Sequence, residues 1–107
     1  MATALLITPE NSNTITEIDV NGLADLQELV GGWVEMVTLN SEKWGNNAMY
    51  INEEGKMRGM DVNLAATHLS EIWPHDVIVG PAVIIGHTND GELSDVTSEA
   101  IDIINRT

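Results

Sequence analysis

The stretch DVIVGPAVIIG, Asp76 to Gly86, is the most strand-like run in the chain, and where it sits governs how everything else is arranged. Val77, Ile78, Val79, Val83, Ile84 and Ile85 are β-branched side chains that suit a pleated, buried surface. Gly80-Pro81 lies at its centre. Proline has no N–H to give to a ladder, so this position predicts an edge strand, a bulge or a bend.

The neighbouring segments read as short elements. Upstream, NLAATHLSEIW sets Leu64, His68, Leu69 and Ile72 at helical spacing, with Asp61 or Asn63 as the cap and Pro74 as the stop. Downstream, HTNDGE is a turn. A last helix begins near Ser98, with Thr97 as its N-cap and Val96 stapled to Ile101. Its outer face carries Glu99, Asp102 and Arg106. At the other end of the chain, TALLIT (Thr3 to Thr8), the turn-rich PENSN and TITEIDV make a β-hairpin. Within it Ile18 and Val20 alternate with Glu17 and Asp19. NGLADLQELVGG gives a helix over roughly residues 22–30, capped by Asn21 and ended by Gly31 and Gly32. WVEMVTL is a strand, NSEKWGNN a loop, and AMYIN another strand. The expected fold is a single α+β domain over residues 1–107. It has a mainly antiparallel sheet of about five strands and three short helices, in the order β-β-α-β-β-α-β-α.

Composition narrows the function. A chain of 107 residues, 43% hydrophobic and 20% charged, builds one modest core. It has no Cys, which removes disulfides, thiolate chemistry and cysteine metal sites. No apolar run has the length of a membrane span, and MATALLITPE has no basic region before its apolar residues, so the expected location is the cytoplasm. Seventeen acidic residues against four basic ones give a net charge of -13. Broad contact with nucleic acid or an anionic membrane is therefore disfavoured. The acidity has two explanations: solubility, which the alternation of acidic and apolar residues favours, or mimicry of a nucleic-acid backbone.

GLADLQELVGGWVEMV, MYINEEGKMRGMDVNLAA and DVIVGPAVIIG, in that order and spacing, resemble a small domain family of unknown function common in phages and phage-related bacterial genomes. The NEEGK turn, the Val-Asn pair before the second helix and VGPAV are its most specific parts. MDVN stands where that pattern has Leu-Pro before Val-Asn. The resemblance spans nearly the whole chain, implies a phage-like origin with the host cytoplasm as location, and brings no catalytic residues.

A direct search for catalytic chemistry finds little. His68, His75 and His87 do not share the three- or four-residue spacing that puts two metal ligands on one helix face. His68 reads as a partly buried structural histidine, and His75 and His87 as exposed. Phosphate-loop, nucleophile-elbow and zinc-protease motifs are missing, and Glu53 and Glu54 are adjacent residues of a solvated turn. No catalytic residue, metal or cofactor is expected.

Binding needs only a pocket and a few placed groups. Lys43, Lys56 and Arg58 share one segment with Trp44, Tyr50, Asn46, Asn47 and Asn52. Trp33 reads as core or interface, and Trp73 as a cover for the core's edge. Cations bind phosphate, an aromatic face stacks a base, and Asn pairs with a base edge. The candidate ligand-binding set is Trp44, Asn47, Tyr50, Asn52, Lys56, Arg58 and Asn63. The competing reading pairs Lys56 and Arg58 with Glu53, Glu54 and Asp61 across a turn. With the phage resemblance, the expected function is a non-enzymatic sponge. It would sequester a small anionic nucleotide signal of bacterial immunity, as a homo-oligomer whose subunit junctions build the pocket. The alternative is an acidic DNA mimic that inhibits a basic host protein, with Asp95, Glu99 and Asp102 starting its row of charges. A further alternative is an accessory structural module.

Overall fold

The computed structural model describes residues 2–9 and 15–105. In chain order the elements are β1 (Ala2–Ile7), β2 (Ile15–Val20), α1 (Leu23–Val30), β3 (Val34–Thr38), α2 (Ser41–Trp44), β4 (Asn47–Asn52), α3 (Leu64–Ser70), β5 (Ala82–His87), β6 (Leu93–Ser94) and α4 (Ser98–Asn105). The strands form one antiparallel sheet in the order β2-β1-β5-β4-β3, with β6 also paired to β5. This is the expected single α+β domain, with a short helix and a short strand added.

The sheet is built around β5, which corrects the edge-strand alternative. Pro81 stands one residue before the ladder, and Gly80, at φ 76°, turns the chain into it. The proline therefore marks the bend and costs the sheet no hydrogen bond. Past it, Ile84 faces Leu5 of β1 on one side and Met49 of β4 on the other. Ala82 and Ile84 enter a core with Leu5, Ile7, Trp44, Met49 and Leu69, while Val83 and Ile85 enter a second core with Ala4, Val20, Leu26 and Val30. A strand covered on both faces needs an apolar side chain at every position, and each fully buried isoleucine contributes roughly 1.5–3 kcal/mol. Helix α1 covers one face; α2, α3 and α4 cover the other.

Local details refine the helix boundaries. Gly22, not Asn21, is the N-cap of α1. The Asp25 carboxylate reaches back to accept the Asn21 N–H at 2.8 Å, which ties the entering chain to the first turn, while the first-turn amides have no side-chain cap among the described residues. Gly31 ends the helix in the left-handed conformation, as expected. The segment NSEKWGNN, read as a loop, holds α2, capped by Asn40 through the Glu42 N–H at 3.0 Å. Asn63 caps α3. That helix stops at Glu71, φ 61°, before Pro74 is reached, so its buried face is Ala66, Thr67, Leu69 and Ser70. Leu64 and His68 consequently lie exposed, which overturns the partly buried reading of His68. Thr97 caps α4 as expected, with its hydroxyl accepting the Ala100 N–H, and Val96 and Ile101 share a core. Most of the PENSN turn and Arg106 lie outside the described residues. Among the described residues no helix is long and apolar enough to cross a membrane.

Candidate binding site

The segment after β4 folds as a pinned turn. Asn52 accepts the Glu54 N–H at 2.7 Å, the Met60 N–H donates to Gly55 at 3.0 Å, and the Arg58 N–H donates to Glu54. Gly55 lies so close to the segment before β5 that a Cβ there would come 2.8 Å from a Val79 methyl. The turn's cations then bind neighbouring elements. The Lys56 ammonium donates to the Asp76 carboxylate, and Arg58 Nη1 donates to the Gly31 carbonyl at 2.6 Å. Neither of the expected carboxylate groups, Glu53 with Glu54 or Asp61, takes them. The Lys56 hydrogen bond, helped by the Val77 N–H, holds the Asp76 carboxyl below its ordinary range.

Four other candidates lie inside the protein. Trp44 is fully buried, so no face of its indole is free to stack on a ligand. Its Nε1–H has no hydrogen-bond partner among the described residues. Asn47 donates to the Trp44 carbonyl and the Thr97 hydroxyl and accepts the Thr97 N–H, tying β4 to the start of α4. Asn52 donates to the Val30 carbonyl at 3.0 Å, joining β4 to the end of α1. Asn63 donates to the Ile7 and Gly80 carbonyls at 3.0 and 2.9 Å and accepts the Ala66 N–H at 3.1 Å. The oxygen and the nitrogen of each of these side-chain amides thus already have a partner within the protein, mostly a buried backbone group.

Tyr50 is half-buried on the α1 face of the sheet. Its hydroxyl lies 2.8 Å from His87 Nε2, with the two rings 5.7 Å apart, and burial raises its pKa. His87, expected to be exposed, is half-buried by that contact.

On the opposite face lies a groove of about 380 Å³ between β3, the pinned turn and the segment Ile72 to Val79. Val37, Ile51, Ile72 and Ile78 give it an apolar lining, and Met36 and Met57 stand at its exposed side. Glu35, Glu53, Asp76 and Lys56 are its charged groups. Of the sequence candidates it gathers Asn52 and Lys56 alone. Trp33, expected in the core or an interface, is 68% exposed and so lies outside the core; its carbonyl accepts the Glu53 N–H just before β3. Trp73 is 62% exposed and leaves the core's edge to Ile72. The residues missed from sequence were Glu35, Met36 and Met57. Met57, an apolar side chain between two cations in a polar turn, was the one visible signal. Among the described residues no cluster of acids and histidines is arranged to hold a metal ion.

The family model described as a domain of unknown function, DUF3846, matches residues 1–107. The chain belongs to this family. No curated protein and no solved structure matches it. What the DUF3846 domain binds must therefore be argued from its surface.

Proposed function

We propose that this DUF3846 domain is a non-enzymatic, phage-type binding protein whose acidic surface occupies a basic face of a host nucleic-acid-binding enzyme. One observation carries the reading. Every described Asp and Glu is exposed except the half-buried Asp25, while Lys43, Lys56 and Arg58 are all engaged within the molecule. Only Glu71 and Asp76 meet a cation among the described residues. The remaining carboxylates leave an uncompensated negative field around a rigid sheet, suited to fast, salt-sensitive association with a positive groove. The partner would be met in the host cytoplasm.

Sequestration of a small anionic nucleotide is the second reading, favoured by the presence of Lys56 and Asn52 in the groove. An anion there would have to displace Asp76 from Lys56 and would face Glu35 and Glu53. Inhibition assays on a panel of purified DNA-processing enzymes separate the two. The first reading expects inhibition that excess duplex DNA and added salt both relieve; full enzyme activity at excess protein would remove it. Isothermal titration with cyclic dinucleotides and ADP-ribose derivatives should give no heat, and saturable heat would favour the sponge.

A further inference from the structure

The sheet ends at β3, which among the described residues pairs with β4 alone, so one side of its backbone has no strand beside it. Unpaired strand edges recruit another strand unless they are blocked. The two sheet edges differ in this respect. On β2, Glu17 and Asp19 are exposed within the strand, and the hollow beside it, between Ile18, Asp19, Asp25, Glu28 and Leu29, is smaller at about 270 Å³ and has no cation in its lining. Beside β3 lies the 380 Å³ groove, with Met36 54% and Met57 86% exposed. The charges around it are Glu35, Glu53 and Asp76 against a single Lys56, which Asp76 already holds.

We infer that the β3 edge with its adjoining groove docks an extended, cationic segment of a partner protein, which adds as a strand to β3. On the face of the added strand that looks onto the groove, apolar side chains enter it and a Lys or Arg side chain meets Glu35 and Glu53 at its rim. Charge complementarity selects this occupant: a second copy of a chain with net charge -13 would bring like charge to an acidic rim, and a small anion would meet two unpaired carboxylates. Backbone pairing supplies affinity, and the apolar groove sets which side chains fit at alternate positions. This inference rests on the acidic-ligand reading above and names the surface it uses.

The test employs a Lys-Val heptapeptide with Val, Lys, Val and Lys at positions 1, 3, 5 and 7, all on one face, and Thr between them, and, as control, a Lys-Gly heptapeptide of equal charge with Gly in place of each Val. Hydrogen exchange should show the Val34–Thr38 amides protected by the Lys-Val peptide, with at least tenfold weaker binding of the control. Glu35→Lys with Glu53→Lys, both at exposed positions, should weaken binding tenfold or more; Met57→Ser gives an independent, several-fold loss should the double variant fold poorly. Equal binding of both peptides, no protection in β3, or unchanged affinity of the variants would overturn the inference. So would protection of β3 by self-association without peptide, or groove occupancy by a nucleotide. Enzyme inhibition that survives Glu35→Lys with Glu53→Lys would remove this surface while leaving the proposed function in place.

Discussion

The residues that look most like ligand groups fall into two regions with opposite character. In the interior, Trp44, Asn47, Asn52 and Asn63 are buried, and the asparagines are spent on backbone carbonyls and amides from distant elements. At the surface, Lys56 and Arg58 are solvated and each has one partner among the described residues. The same chemical groups that would recognise a nucleotide instead build the scaffold in the first region and fasten a turn in the second. Side-chain type alone does not distinguish these uses; burial and partner count do.

That contrast predicts a descending series of effects. Trp44→Ala should cost about 3–5 kcal/mol of unfolding free energy in a denaturant titration, as for other large aromatics removed from a core. Trp44→Phe should cost less, because a ring still fills most of the site and the indole N–H it removes has no partner among the described residues. Asn63→Ala strands the Ile7 and Gly80 carbonyls and the Ala66 amide, and should cost about 2–4 kcal/mol, since each buried group left without a partner is costly. An unfolding midpoint unchanged by Asn63→Ala would erase the division between the two regions. Arg58→Ala removes one exposed hydrogen bond to Gly31 and should cost about 0.5–1 kcal/mol, with the loss concentrated in faster amide exchange of the turn.

The smallest effect is electrostatic. With its pKa held down in the folded protein, Asp76 contributes stability above its unfolded pKa and loses that contribution as pH falls through the lower folded value. NMR titration of the Asp76 carboxyl should show it ionising below the ordinary carboxylate range, and Lys56→Ala should return it towards that range. A titration indifferent to Lys56 would mean that the ion pair does not persist in solution.

Much of the fold was legible because its signals are local. The β1–β2 hairpin, the left-handed glycine ending α1, the Asn63 cap and the start of α4 each depend on a few adjacent residues. The central position of β5 was obscured by Pro81, whose effect changes entirely with a one-residue shift relative to the ladder. The unbroken apolar run through Ala82, Val83, Ile84 and Ile85 was the better guide, because only a strand covered on both faces requires it. Helix α2 escaped notice because four residues are too few to show a period. The site was less legible than the fold. Asn63 meets Ile7 across 56 positions and Lys56 meets Asp76 across 20, and no local pattern encodes such pairings. The groove is likewise formed by three separated segments, so its acidic rim emerges only once β3, the turn and the Ile72 to Val79 stretch are brought together.

The placement of the three tryptophans makes the protein its own optical reporter. Trp44 sits in the interior while Trp33 and Trp73 face water. Emission at the blue side of the spectrum will thus follow loss of the core, and emission at the red side will follow what happens around Trp33 and Trp73. Quencher charge adds a second reading: caesium, drawn in by the carboxylates, should extinguish the red component more effectively than iodide, which they repel. The ratio of the two quenching constants would measure the negative field at two points on the surface, with neutral acrylamide as the reference.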